Sequence, residues 1–165
     1  MTKQTKLGKA SFVRNLIFGV EDSLVSTVGL VSGIAIAKVD QPTIFISGMV
    51  LIVVEALSMG VGSVLSESAT NEFVYKRSGS LSFVGGIVMF FSYFFAGFVP
   101  LTPYILFDVQ TAFPLSIIAS LVALFILGFV AARYYKAKVW RSAFRMFILG
   151  GLAIIAGTLV GYLLA

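Results

Sequence analysis

Cysteine and histidine are both absent from this chain of 165 residues. Their absence removes disulfides, thiolate and imidazole metal sites, and every Ser-His or Cys-His nucleophile. A metal ion here has to be held by carboxylate, hydroxyl or carbonyl oxygen, or by methionine sulfur. Charge is also scarce. Only 12% of residues are Asp, Glu, Lys or Arg, about half the usual share for a soluble domain, so the chain cannot cover a water-facing surface. No strand followed by a glycine-rich phosphate loop is present either, and no strand is expected.

What remains is apolar. Hydrophobic residues make up 59% of the sequence and the mean hydropathy is +1.03, which describes an all-α integral membrane protein. Long apolar runs fall at residues 12–37, 44–66, 81–103, 113–132 and 144–165. Each is long enough to cross a bilayer as a helix. A closed barrel cannot be built from five such spans, and unpaired backbone is not tolerated in lipid. The five spans leave room for one transmembrane domain over residues 1–165 and no soluble one. Lys38-Val39-Asp40-Gln41-Pro42 reads as the first connection, and Pro100, Pro103 and Asp108 as the third.

The basic residues set the orientation. Lys3, Lys6, Lys9, Arg14, Lys76, Arg77, Arg133, Lys136, Lys138, Arg141 and Arg145 fall on one side of the five spans, and Lys38 alone on the other. The positive-inside rule then puts the N-terminus in the cytoplasm and the C-terminus outside. The net charge of +5 serves topology and attraction to anionic lipid, and no nucleic-acid partner is expected. The first run ends in Ala35-Ile36-Ala37, which imitates a signal-peptide cleavage site. It is too long for a signal h-region and contains two acids, so it is expected to stay. No organellar address is visible, and a prokaryotic plasma (inner) membrane is the expected location.

Those two acids, Glu21 and Asp22, carry the functional argument. A carboxylate inside hydrocarbon costs about 2.5–3.5 kcal/mol even on the lenient insertion scale, so it is shielded or used. At 1.5 Å per residue Asp22 lies ~12 Å in from Arg14, while on the antiparallel second span Met59 lies ~10 Å and Glu55 ~16 Å from the same surface. Glu55, Met59, Ser63 and Glu67 recur every four residues and form one stripe running to the cytoplasmic rim. A purely structural stripe has no use for a mid-membrane acid. Carboxylates with a thioether suit Fe(II) or Mn(II), and a desolvated carboxylate can trade a proton for a cation near neutral pH. Asp22, Glu55, Met59, Glu21 and Glu67 are therefore the candidate metal ligands. Glu21 points ~100° away from Asp22, and stays open between an entrance acid or ligand and a snorkelling partner for Arg14. Glu72 reads as solvated.

Gly29-Leu30-Val31-Ser32-Gly33 and Gly157-Thr158-Leu159-Val160-Gly161 are both G-x-x-x-G, a pattern that lets membrane helices approach closely. The aromatic run Phe90-Phe91-Ser92-Tyr93-Phe94-Phe95 shows no face to hide and is expected to meet lipid.

Gly19-Val20-Glu21-Asp22-Ser23-Leu24-Val25-Ser26-Thr27 with Gly29-Leu30-Val31 resembles the first-helix motif of the vacuolar iron transporter family, and Ala56-Leu57-Ser58-Met59-Gly60-Val61-Gly62 resembles its second-helix motif. Pro100-Leu101-Thr102-Pro103-Tyr104 is similar to the end of its third helix. Leu124-Phe125-Ile126-Leu127-Gly128 and the closing Gly150, Gly151, Gly157 and Gly161 fit helices four and five. The resemblance implies five helices, a homodimer whose metal path runs beside helix one, and export of Fe(II), often Mn(II), from the cytosol in exchange for protons; with Gly29 and Gly33 it places the expected dimer contact on helix one. It carries metal-binding roles to Asp22 and Met59. Three departures stand out. Ser23 replaces a usual glycine, Ser63 stands where many members have Glu, and the helix-two acid expected at Leu51 is found one turn on, at Glu55. The short link between spans two and three has no room for the cytoplasmic metal-collecting domain of larger members.

The expectation is thus an antiporter for divalent iron or manganese that holds no permanent cofactor and is not an enzyme. A proton-coupled carrier of another small solute and a non-transporting scaffold are its rivals.

Overall fold

The computed structural model of the protein describes residues 3–75 and 80–165, with side chains for 8–73 and 82–165. These residues form five helices: α1 (Lys3–Ile36), α2 (Gln41–Tyr75), α3 (Ser80–Leu106), α4 (Val109–Tyr134) and α5 (Val139–Leu164). All five are long and apolar enough to cross a membrane. Lys76 and Arg77, counted above as a basic loop, lie outside the described residues, as do the side chains of Lys3 and Lys6.

Two helices overshoot their expected spans. With 34 and 35 residues, α1 and α2 each extend ~50 Å against a hydrocarbon core of ~30 Å. The excess lies at one end of the bundle, where α1 begins and α2 finishes. Nothing in Ser66–Tyr75 breaks a helix, since it contains neither proline nor glycine, so hydrogen bonding runs on after hydropathy falls. This shared projection supplies a polar neck next to the apolar spans.

The connections at the opposite end are built twice to one plan. Asp40 caps α2 by accepting from Thr43 N at 3.2 Å and Thr43 Oγ1 at 2.8 Å. Asp108 caps α4 by accepting from Thr111 N at 3.2 Å and Thr111 Oγ1 at 2.9 Å. In both cases the threonine hydrogen bonds hold the carboxyl below the usual carboxylate range. Gln41 Nε2 donates to the carbonyls of Tyr104 at 2.7 Å and Phe107 at 3.1 Å, satisfying acceptors that the end of α3 leaves orphaned. Lys38 and Lys136 close α1 and α4 with φ of 59° and 54°. The amides of Val39 and Ala137 then reach back to Ile34 O and Ala132 O, as in a Schellman ending.

Pro100 and Pro103 do not mark a connection. Both sit inside α3, which continues to Leu106 before Asp108 starts the next cap. Their fixed φ is compatible with a helix, although each lacks the amide hydrogen bond and crowds the carbonyl four residues back. Ser116 Oγ from α4 donates to Pro100 O at 2.7 Å, tying the proline turn to its neighbour.

Helix α1 packs against all four other helices. Little hydrophobic force acts between helices in lipid, so close packing and small residues hold the bundle. The two G-x-x-x-G motifs meet each other within one chain. A Cβ on Gly33 would stand 2.8 Å from Gly157 O, and one on Gly157 would stand 2.5 Å from Gly29 O. The aromatic run, expected to face lipid throughout, has two sides. Phe91 and Phe95 are exposed while Tyr93 is wholly buried, because α3 packs on both α1 and α2 and turns one face inward.

Candidate metal path

Helices α1, α2 and α3 bring polar side chains together at two depths. The shallower group sits where the neck meets the bundle. Arg14 Nη2 lies 2.8 Å from Glu67 Oε1. Asn15 Nδ2 donates to the same oxygen at 2.9 Å and to Ser63 Oγ at 3.1 Å, and Ser11 Oγ donates to it as well. Asn15 is only 1% exposed, so its amide depends on these partners. Space for the group comes from Gly85 on α3, where a Cβ would stand 2.6 Å from both Asn15 Nδ2 and Glu67 Oε2. Arg14 thus pairs with α2 and not with Glu21, seven residues along its own helix. This is the sole ion pair among the described residues.

The deeper group is of a different kind. Asp22 on α1 and Glu55 on α2 are each half-buried, and their charges are close enough to repel each other. Among the described residues neither acid has an ion-pair partner. Met59, also half-buried, stands one turn from Glu55 along α2 towards Ser63 and Glu67. Leu51, one turn the other way, is half-buried too. Glu55 therefore shares the face on which the family motif expects its acid.

Tyr93 and its serine partners connect α1 to α3 near this pair. Ser23 Oγ donates to Tyr93 O at 2.6 Å, which accounts for a serine in place of glycine after the acid: it fastens α1 to α3. Ser26 Oγ and Tyr93 Oη lie 2.6 Å apart, and Tyr93 is within electrostatic reach of both Asp22 and Glu55. Towards the capped end lie the buried hydroxyls of Thr27, Ser32 and Tyr104; Ser32 and Tyr104 are close enough to interact, and Thr27 has no hydrogen-bond partner among the described residues. Tyr93 and Asn15 were not singled out from the sequence. Asn15 could have been, as an amide inside an apolar run, whereas Tyr93 was hidden among five aromatic neighbours.

Of the five sequence candidates, Asp22 and Glu55 come within electrostatic reach of each other, and Met59 is half-buried one turn from Glu55. Glu67 belongs to the shallower group. Glu21 lies within electrostatic reach of Arg145 on α5 and of Asp22. Among the described residues no three acids converge as a ready-made metal cage.

Comparison with known proteins agrees with the fold. The sequence pattern of the VIT family matches residues 13–80 and 77–162. An uncharacterized protein of Methanocaldococcus jannaschii is 26% identical over an alignment of 164 residues, covering 87% of this chain and 85% of its own length.

Proposed function

The chain belongs to the VIT family, a family of membrane metal-ion transporters, and from that premise we propose that it exports divalent iron or manganese from the cytosol in exchange for protons. The observation that carries this reading is the pair Asp22 and Glu55: two acids on neighbouring helices, within electrostatic reach of each other and with no ion-pair partner among the described residues. Two like charges in a low-dielectric bundle are destabilising unless a cation or a proton sits with them. That is the requirement for alternating occupancy. Met59 adds a soft donor that favours Fe(II) or Mn(II) over Mg(II) or Ca(II). Glu21 is an entrance acid in this account, Glu67 is bonded into the architecture by Arg14, Asn15 and Ser11, and the buried hydroxyls of Thr27, Ser32 and Tyr104 give the ion a polar continuation.

The N-terminus is cytoplasmic and the C-terminus outside, on the strength of the 11-to-1 division of basic residues. The working unit is a homodimer, as the family resemblance implies, in a prokaryotic plasma membrane. Gly29 and Gly33 cannot supply its contact, because α5 already occupies them. The exposed small residues Ser58 and Gly62 on α2, spaced as small-x-x-x-small, offer a face beside Glu55 and Met59. Ser58→Leu with Gly62→Leu should yield monomers in mild detergent, and an unchanged dimer would move the interface elsewhere.

The direct test of transport is uptake by proteoliposomes offered Fe(II), Mn(II), Zn(II) and Ca(II) under an imposed pH gradient. Fe(II) or Mn(II) flux that rises with the proton gradient supports the proposal. Proton flux indifferent to every metal would point to a carrier of another solute, and no flux of either kind to a scaffold.

A further inference from the structure

The turn between α4 and α5 holds a pocket that the metal path does not use. Its volume is about 540 Å³, and Ala137, Lys138, Arg141, Ser142 and Arg145 line it. Lys138, Arg141 and Arg145 sit at i, i+3 and i+7, which places them on one side of the helix. Topology requires basic residues at this end of the bundle, but it does not require three of them to converge on one concavity. None of the three forms an ion pair among the described residues; Arg145 has Glu21 within electrostatic reach, and Lys138 and Arg141 have no such acid beside them among those residues. Convergent cations repel one another, and an anion between them removes that cost.

The surroundings point to the kind of anion. Tyr134, Tyr135 and Trp140 flank the pocket with exposures of 59%, 52% and 66%. Exposed tyrosine and tryptophan at a span's end mark the headgroup level of a bilayer. Directly below, α5 turns a bare apolar face outward through Phe144, Ile148, Leu152, Ile155 and Leu159. This face starts beside Arg141 and Arg145 and runs down the span, of which only 11% is buried in the bundle. A cationic pocket at headgroup level, continuous with an apolar track at chain level, has the two-part chemistry of an anionic phospholipid. We propose that this pocket binds the phosphate of such a lipid, with its acyl chain lying along α5. The site stands apart from the transport reading, since it needs only that the chain is embedded in a bilayer.

The test uses the full chain in a neutral detergent, titrated with phosphatidylglycerol or phosphatidylcholine and read by native mass spectrometry. Phosphatidylglycerol should be retained preferentially. Lys138→Gln with Arg141→Gln should weaken its retention by about 30-fold, the effect of two interfacial charges, while Lys138→Arg with Arg141→Lys should keep it. Arg133→Gln with Lys136→Gln removes the same charge from the same turn outside the pocket, and should cost about threefold or less. Equal losses in the two neutralised variants would overturn the pocket in favour of diffuse attraction. Retention of both lipids alike would overturn it as well. Displacement of phosphatidylglycerol by millimolar inorganic phosphate would show a site for the free anion, and would overturn the lipid assignment.

Discussion

Glu67 and the pair Asp22–Glu55 are acids in the same bundle, on helices that touch, yet they live under opposite rules. Glu67 collects Arg14, Asn15 and Ser11 around a single oxygen. Its charge is compensated, and its neighbours depend on it. Asp22 and Glu55 lie within electrostatic reach of one another and form no ion pair among the described residues. The lesson is that an acid at membrane depth is not a site by virtue of being there. A neutralised and bonded acid serves the architecture, and an uncompensated one has a free energy that only a ligand or proton can lower.

The contrast breaks most visibly under charge removal. Glu55→Gln keeps the shape of the side chain and deletes the repulsion with Asp22. Metal flux should vanish while thermal stability in detergent stays level or rises. A variant that still transports, with unchanged pH dependence, would make Glu55 a structural group like Glu67 and erase the distinction.

The reciprocal change at the rim should read the other way. Glu67→Ala leaves the buried Asn15 Nδ2 with Ser63 as its one acceptor, and an unsatisfied buried donor costs about 1–3 kcal/mol. The exposed Arg14 adds little to that, since its charge is screened by solvent. Unfolding in denaturant should register the loss, while metal flux through folded protein persists at a reduced rate. Full loss of flux with normal stability would move Glu67 into the group of essential ligands.

The smallest effect sharpens the same point at the far end of the bundle. Asp40 and Asp108 are bonded acids that lie outside the spans, and their threonine partners hold them below the usual range. A depressed carboxyl stabilises the fold above its ordinary pKa of about 4 and loses that contribution as pH falls through the lowered value. Melting temperature should therefore drop on acidification below about pH 4. Asp40→Asn with Asp108→Asn should flatten that part of the profile. An unaltered profile would assign acid sensitivity to other carboxylates.

Much of this architecture was legible before the coordinates. Hydropathy located the five spans because the bilayer demands long apolar runs, and the spacing of Glu55, Met59, Ser63 and Glu67 placed them on one face because a helix has a fixed period. What stayed hidden depended on partners. The two glycine motifs look alike whether they serve a dimer or the same chain, and only the packing of α1 on α5 decides. Arg14 had two acids within reach in sequence terms, and the antiparallel register of α1 and α2 gave it to Glu67. Tyr93 was masked because lipid-facing and inward-facing aromatics have the same composition. Pro100 and Pro103 read as punctuation, although the fixed φ of proline fits a helix and α3 runs through both before it ends at Leu106.

The central claim is that Asp22 and Glu55 are uncompensated because they exchange a cation for a proton. It is tested most directly by recording metal and proton movement together in proteoliposomes containing wild-type protein or Asp22→Asn, with Mn(II) as the probe. Wild type should move protons against the metal, in proportion to it. Asp22→Asn should insert and fold normally and move neither. Mn(II) flux in the variant at the wild-type rate, or wild-type Mn(II) flux with no accompanying proton movement, would contradict the account.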